Sequence, residues 1–278
     1  MKTAIIVIAV IIVLAVTIYC ELPVALNAMG LHPHYAGQQY DLNGRKALIV
    51  TTSQGLLGDT GKRTGVYASE MTVPYYQFRD AGMQVDVASI KGGEIPIEPQ
   101  SLSWPVATAA DKRYLADAEF QEKVKGSQKI DDVDFTGYDL IYMAGGWGAA
   151  YDLGTSEVLG QKISQAYSKK IILGSVCHGA LGFLKAQDEN GKPLVQGRKM
   201  TAVTDKQVRE LGIEITPMHP ERDLRAAGAL FESTAAFRDM FANHVVIDGA
   251  IVTGQNQNAG EEVAQKMMGL LNNKKAGD

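Results

Sequence analysis

The segment that most constrains the possible folds of this chain is an apolar run followed directly by a cysteine between glycines. Residues 170–173 read Lys-Ile-Ile-Leu, and residues 174–182 read Gly-Ser-Val-Cys-His-Gly-Ala-Leu-Gly. The apolar run predicts a buried strand, and the small residues beyond it permit a sharp turn that most side chains would block. This is the pattern of a nucleophile elbow, in which a strand turns into a helix and presents a reactive side chain, here Cys177, at the bend.

Such a bend would place Cys177 at the start of a helix. Free N–H groups and the helix dipole stabilise a thiolate there, so the pattern predicts a lowered pKa for Cys177 and a role as nucleophile. A buried core cysteine is the alternative, because isolated thiols are commonly buried. The adjacent His178 and the flanking glycines favour the chemical role.

The bulk composition excludes several classes of protein. With 278 residues, 46% hydrophobic and 21% charged, the chain suits one sizeable domain with a short appendage. A net charge of −4 without a run of Lys or Arg gives no indication of a nucleic-acid partner. The two cysteines, Cys20 and Cys177, lie in different settings, so we predict no disulfide, and no His/Cys spacing predicts a metal site. We expect no cofactor.

The N-terminus carries an apolar run over residues 4–20. As a helix it would be about 25 Å long, just short of a hydrocarbon core of about 30 Å. We predict that residues 1–21 form a single-pass membrane anchor or signal segment, and the lack of a clean cleavage site favours an uncleaved anchor. A cleaved signal and a lipid anchor at Cys20 are the alternatives. Lys2 before the run and Glu21 after it place the soluble part on the extracytoplasmic side.

Residues 22–45 predict a linker, residues 46–273 an α/β domain, and residues 274–278 a polar tail. The domain alternates strand and helix patterns, which predicts a doubly wound, mostly parallel sheet with helices on both faces, of the flavodoxin-like kind. Strands are expected at 47–52, 85–89, 139–144, 170–173, 199–203, 243–247 and 250–253, and helices at 66–81, 111–125, 156–169, 204–211 and 261–271.

A glycine loop should meet the elbow at the carboxyl edge of this sheet, where such folds bind ligands. Gly145, Gly146 and Trp147 directly follow the strand expected at 139–144. We expect the backbone N–H groups of Gly146 and His178 to stabilise an oxyanion, with Gly145 and Trp147 beside them in the pocket.

Glu70 is the third candidate at this edge. It is the one acidic residue in the mostly apolar helix start at 64–75. A carboxyl group in such surroundings tends to have a raised pKa, which suits it to share a proton with a thiol. A surface position on the helix is the alternative.

These segments together resemble the ThiJ/PfpI superfamily, also called the class I glutamine amidotransferase-like fold, over residues 46–271. The motifs are Thr-Gly-x-x-x-Ser-Glu-x-x-x-Pro-Tyr at 64–75, Ser-x-Lys-Gly-Gly at 89–93, Ala-Gly-Gly-x-Gly at 144–148 and Val-Cys-His-Gly at 176–179. The chain looks most similar to the branch of heat-shock chaperones and glutathione-independent glyoxalases (glyoxalase III). The resemblance implies a Cys177 nucleophile with His178 beside it, Glu70 hydrogen-bonded to the thiol, and a homodimer.

The resemblance also implies a cysteine-dependent enzyme that acts on small reactive carbonyls. It would convert methylglyoxal to lactate or carry out a related deglycation, with chaperone activity in stress protection as a second role. One alternative is a cysteine amidohydrolase or peptidase of the PfpI type. Another is a non-catalytic, membrane-tethered chaperone or redox sensor, because an accessible low-pKa thiol oxidises readily.

Two positions depart from the pattern of that branch. Trp147 stands where a histidine is usual, and Val208 stands where an acid usually orients the catalytic histidine. Asp205 and Glu210 are the nearby candidates for that acid, because a histidine without an orienting carboxylate loses control of its tautomer. His219, in a His-Pro-Glu triplet, is predicted to begin a helix and not to join the site.

Overall fold

The computed structural model describes residues 2–275, and its centre is a mostly parallel sheet. The strands are β1 (Lys46–Thr51), β2 (Gln84–Ser89), β3 (Gln128–Lys129), β4 (Leu140–Met143), β5 (Ile172–Val176), β6 (Lys199–Met200), β7 (Leu230–Phe231), β8 (Val245–Asp248) and β9 (Ile251–Gly254). The main sheet has the order β3-β2-β1-β4-β5-β9-β8, and only β8 runs antiparallel to its neighbour. The predicted doubly wound α/β fold is therefore confirmed.

Helices cover both faces of this sheet. The α-helices of residues 2–275 are α1 (Lys2–Ala28), which projects from the domain, and α2 (Ala68–Asp80), α3 (Ala109–Ala116), α4 (Ala118–Lys125), α5 (Ala149–Asp152), α6 (Glu157–Ser168), α7 (Asp205–Leu211), α8 (Pro220–Ala226) and α9 (Gly260–Lys275). Successive side chains of a strand point to opposite faces. Ala47 and Ile49 of β1 thus join the core under α2 and α9, while Leu48 and Val50 join the core on the α6 side.

Three elements differ from the sequence expectation. The helix expected over 111–125 is two helices, because Asp117 has extended backbone angles and its side chain caps the second helix at the N–H of Phe120. The strand expected over 199–203 is only β6, which pairs with β7 in a separate small sheet. The helix after the elbow is a 3-10 helix, Cys177–Phe183.

The N-terminal helix extends beyond the predicted apolar segment and ends at Ala28, inside the expected linker. Residues 5–20 are exposed, whereas Leu22, Pro23 and Leu26 are half-buried and Leu31 is buried against the domain. Ile5–Ala28 is long and apolar enough to cross a membrane, a test that a signal sequence also passes. At the other end, α9 takes in the start of the expected polar tail, and residues 276–278 lie outside the described residues.

Candidate active site

The parallel order of three strands brings the predicted site residues to one edge of the sheet. β1 leads through a loop into α2, which carries Glu70 in its first turn. Gly145 follows β4, Cys177 follows β5, and β4 and β5 are direct neighbours, with Met143 opposite Ser175. All three segments therefore meet at the carboxyl ends of the strands, as the sequence predicts.

The elbow at Cys177 has the backbone geometry of a sharp turn. Val176 is extended, whereas Cys177 has φ 55°, in the left-handed region that non-glycine residues rarely adopt. Such a conformation costs about 1–3 kcal/mol and persists where the surrounding structure fixes it, commonly at functional sites. Part of that surrounding is Gly179, where a Cβ would lie 2.2 Å from the backbone oxygen of Met143.

Glu70 lies beneath the glycine loop with its carboxyl group against the Cys177 thiol. Its side chain is 1% exposed, and its Oε2 accepts a hydrogen bond of 3.0 Å from the backbone N–H of Gly145. Burial raises the pKa of Glu70 to about 8, although hydrogen bonds from Cys177 and from the N–H groups of Gly145 and Gly146 oppose that rise. Near neutral pH Glu70 is therefore mostly protonated. Its burial excludes the alternative of a surface position on the helix.

The Cys177 thiol differs from the ionised thiol that the sequence pattern predicts. Cys177 is 6% exposed, and burial, together with the nearby Glu70, raises its pKa well above the ordinary value. The backbone N–H groups of Gly146 and His178 point at the sulfur and oppose this rise. The loss of hydration has a larger effect on the pKa than these two N–H groups, because the packed domain buries the bend. The resting site thus holds a neutral thiol beside a mostly neutral carboxyl group, a pair that shares its titration.

His178 is the second group within reach of the sulfur. Its Nδ1 lies 3.4 Å from Cys177 Sγ, and the side chain is fully buried. Burial lowers the pKa of His178 to about 3, so the ring is neutral at physiological pH. Its Nε2 has no hydrogen-bond partner among residues 2–275. A neutral imidazole offers one donor and one acceptor nitrogen, so this ring can hold a proton on either side.

The two acids considered as orienting partners form contacts elsewhere. Glu210 accepts the backbone N–H of Asp239, and it lies 3.7 Å from the Lys206 ammonium group. Asp205 contacts Glu221 through its backbone N–H, and its Oδ1 is buried without a hydrogen-bond partner among residues 2–275. No hydrogen bond joins either carboxylate to His178 in the part of the chain that the structure describes.

His219 is the residue that precedes α8, with Pro220 as the first helical residue, as the sequence predicts. Its side chain lies outside the cavity at Cys177, with Nε2 3.2 Å from the backbone oxygen of Glu214.

The thiol faces a cavity of about 240 Å³. Glu70, Gly146, Trp147, Cys177 and His178 line it as predicted, and Gly145 lies just behind the wall against Glu70. A Cβ at Gly145 would lie 2.7 Å from both Glu70 Oε2 and the backbone nitrogen of His178. Only glycine therefore lets the loop, the acid and the elbow approach so closely.

Sequence reasoning did not find several other residues that line this cavity. They include Tyr67, Glu98, Trp104, Gln207 and Met240. Burial raises the pKa of Glu98, which caps a 3-10 turn in the segment after the second strand. Tyr67 lies inside the motif at 64–75, and Gln207 directly precedes Val208. Of the five residues, these two alone could have been found from their positions in the sequence. Between residues 2 and 275, no three His, Cys or acidic side chains cluster as a metal site would require.

Comparison with known proteins places this arrangement in a family. The model of the DJ-1/PfpI family matches residues 63–270. The glutathione-independent glyoxalase hsp3101 of Schizosaccharomyces pombe is 28% identical over 233 residues, which cover 80% of this chain and 93% of that protein. Glyoxalase 3 of Candida albicans is 28% identical over 231 residues, covering 80% and 97%.

Solved structures agree with the sequence relatives. The rapid encystment protein of 24 kDa from Francisella tularensis superposes with a TM-score of 0.76 at 30% identity, covering 82% of this chain and 99% of that one. The crystal structure of glyoxalase III from Candida albicans gives a TM-score of 0.74 at 27% identity, covering 81% and 97%. The chain with this buried cysteine, acid and histidine at one sheet edge belongs to the DJ-1/PfpI family.

Proposed function

We propose that this protein is a glutathione-independent glyoxalase that converts 2-oxoaldehydes such as methylglyoxal to 2-hydroxy acids. The observation that carries the proposal is the Glu70 carboxyl group, which is buried, protonated near neutral pH and hydrogen-bonded to the Cys177 thiol. An isomerisation that moves a proton between neighbouring carbons requires such a group beside the nucleophile. Relatives named glyoxalases, in two yeasts, support the same activity.

The first step is addition of the thiol to the aldehyde carbon. The bond from Cys177 Sγ to that carbon forms while the thiol proton passes, through the Glu70 carboxyl group, to the former carbonyl oxygen. The N–H groups of Gly146 and His178 already point at the sulfur, so they are placed to donate to that oxygen as its negative charge develops. The product is a hemithioacetal, and no proton is lost to solvent.

The second step moves a proton from the aldehyde carbon to the neighbouring ketone carbon. His178 accepts the proton of the first carbon while the protonated Glu70 carboxyl group donates its proton to the ketone oxygen. His178 then returns its proton to the second carbon and Glu70 takes up the hydroxyl proton of the first, so the first carbon is oxidised, the second is reduced and no external oxidant is needed. The result is a thioester of a 2-hydroxy acid on Cys177. Water then hydrolyses the thioester, which releases the acid and restores the thiol. His178 is neutral, so one of its ring nitrogens has a free lone pair that can accept the proton. Burial, which lowers the pKa of His178 to about 3, ensures that the ring gives the proton up again in the return step.

Consumption of methylglyoxal by the purified full-length chain, without glutathione, tests the proposal. We expect stoichiometric lactate from the wild-type protein and none above background from Cys177→Ala. Equal consumption by both proteins would overturn the assignment. A stable acyl-thioester on Cys177 with an amide substrate would instead indicate the hydrolase alternative.

We further propose that α1 anchors the domain to a membrane as a single-pass helix, with the soluble domain on the extracytoplasmic side. The support is its length and its exposed apolar surface over residues 5–20, together with Lys2 before that run. In cells, the chain should stay with membranes after carbonate extraction, and added protease should cut the domain in intact cells or spheroplasts. Release by carbonate would contradict the anchor, and protection from protease would contradict the orientation.

A further inference from the structure

One aromatic residue connects the N-terminal helix to the cavity at Cys177. The ring of Trp104 stacks on Tyr19 of α1, with centroids 4.8 Å apart and planes within 10°. Trp104 also lines the cavity that contains the thiol. The rim of the site is thus in direct contact with the helix that is apolar enough to cross a membrane.

A second cavity, of about 510 Å³, lies between the end of α1 and the domain. Pro23 and Asn27 of the helix line it, and Pro105, Val106 and Gln257 line both this cavity and the one at Cys177. The two cavities are therefore neighbours across a shared wall. His32, which also lines the second cavity, has its pKa lowered to about 4 by burial and is uncharged at neutral pH.

The length of the helix fixes the depth of Trp104. A spanning helix needs about 20 apolar residues, so a span that begins at Ile5 ends near Val24. Tyr19 then lies about 8 Å inside that boundary, since each residue rises about 1.5 Å. Trp104, which stacks on Tyr19, then lies in the outer part of the hydrocarbon region, next to the interface at which tryptophan is enriched.

Exposed apolar side chains surround the same end of the domain. Trp104 is 44% exposed, Leu211 is 38% exposed and Phe237 is 72% exposed. Phe237 stacks on Phe241, whose backbone oxygen leaves no room for a Cβ at Gly30, just past the end of α1. Trp104 and Leu211 line the cavity at Cys177, so the apolar surface continues into the site.

We propose that this face lies on the membrane surface and that the site takes 2-oxoaldehydes that carry a hydrocarbon tail and reside in the bilayer. This substrate class rests on the glyoxalase activity proposed above. The reactive carbonyls would reach Cys177 past Trp104, while the tail lies along the apolar side chains of Val106, Leu211 and Met240 that line the same cavity. A three-carbon molecule would leave most of this cavity of about 240 Å³ empty, whereas a tail of several methylenes would fill it.

The tail should contribute strongly to specificity. Each methylene moved from water into an apolar site contributes about 0.8 kcal/mol, or about fourfold in kcat/KM. For 2-oxodecanal, with seven more carbons than methylglyoxal, we expect kcat/KM in water at least about 100-fold higher, because only part of the tail needs to be buried.

Tryptophan fluorescence tests the position of the face without relying on activity. The full chain is reconstituted in phosphatidylcholine vesicles whose acyl chains carry bromine, which quenches nearby indoles. Trp104 and Trp147 are the two tryptophans of the chain, so Trp147→Phe reports Trp104 alone and Trp104→Phe reports Trp147. We expect strong quenching of Trp104 and little quenching of Trp147, which lies within the domain. Equal and weak quenching of both would overturn the proposal.

Substrate preference tests the proposal that the site takes 2-oxoaldehydes with a hydrocarbon tail. Wild-type protein in vesicles should prefer 2-oxodecanal, and Trp104→Ala should reduce that preference. Phe237→Ser should slow turnover of vesicle-borne 2-oxodecanal while leaving turnover of methylglyoxal in solution unchanged, and Leu230→Ser, a similarly exposed residue outside both cavities, should change neither. Cysteine-dependent turnover of methylglyoxal without any preference for 2-oxodecanal would overturn this inference alone. Absence of turnover of both substrates would overturn the proposed function as well.

Discussion

The Glu70 carboxyl group and the backbone N–H of Gly145 are joined by a hydrogen bond of 3.0 Å in a space that admits no additional atom. This contact ties the first turn of α2 to the loop after β4. It holds the acid against the Cys177 thiol, to which the carboxyl group is hydrogen-bonded. The glycine loop thus positions the acid in addition to bordering the cavity.

The two free cysteines of this chain, Cys177 in the site and Cys20 on α1, allow a matched test of the nucleophile. Cys177→Ser should lower kcat/KM for methylglyoxal by at least about 1,000-fold, because loss of a nucleophile removes the covalent route. Cys20→Ser should leave it unchanged, since Cys20 is exposed on α1. Steady-state kinetics on both purified variants measure this. A Cys177→Ser protein within about tenfold of wild type would show that the reaction does not pass through the thiol.

Glu70→Gln should remove a pH dependence of stability. The pKa of Glu70 is about 8 when folded and near 4.5 ordinarily, so between these values the folded protein holds a proton that the unfolded chain has lost. Stability contributed by this proton is fully present at low pH and is lost as pH rises toward 8. Over pH 6.5–8, wild type should lose about 2 kcal/mol more than Glu70→Gln.

That window avoids the opposing effect of His178. Its pKa is about 3 when folded and 6.5 ordinarily, so its effect on stability is confined to pH below about 6.5. Denaturant titration of the full chain in detergent at several pH values measures the difference. Parallel curves for wild type and Glu70→Gln would contradict a protonated Glu70.

Gly145→Ala should disrupt both the site and the packing. The new Cβ would lie 2.7 Å from Glu70 Oε2 and from the nitrogen of His178, so the loop or the acid must move. We expect a loss of about 1–3 kcal/mol in stability and at least about 100-fold in kcat/KM. Gly137→Ala is the control, because the nearest atom to its Cβ would be 4.0 Å away, and it should change stability by less than about 0.5 kcal/mol. An active, stable Gly145→Ala protein would refute the positioning role.

His178→Gln should slow the proton transfer between carbons while leaving the fold intact. Loss of a positioned acid–base group costs about 100- to 10,000-fold in rate. His244→Gln should be close to wild type, because His244 lines neither the cavity at Cys177 nor the one beside α1. A solvent-exchange experiment adds a specific readout: deuterium incorporation at the second carbon of lactate should fall in step with the rate. An unchanged rate in His178→Gln would contradict a role for His178 in this proton transfer.

The fold and the members of the site followed from local patterns. Strand β5 with the Gly-Ser-Val-Cys-His-Gly segment behind it predicts an elbow, because only small residues tolerate that turn. The alternation of strands and helices predicts a parallel sheet, and parallel strands necessarily bring their carboxyl ends to one edge. These patterns were therefore sufficient to predict that Gly146 and Cys177 lie near each other, whereas the contact of Glu70 with the thiol was implied only by the family resemblance.

The tertiary structure alone decided the ionisation of the site and the position of its opening. The sequence pattern favoured a thiolate at Cys177, but desolvation depends on every segment packed above the bend, and it raises the pKa of the thiol. Within residues 2–275, the absence of a partner for His178 Nε2 and the contact of Tyr19 with Trp104 both depend on segments far apart in the chain. Local sequence determines turns and periodicity, whereas burial and long-range contacts are properties of the whole packed chain.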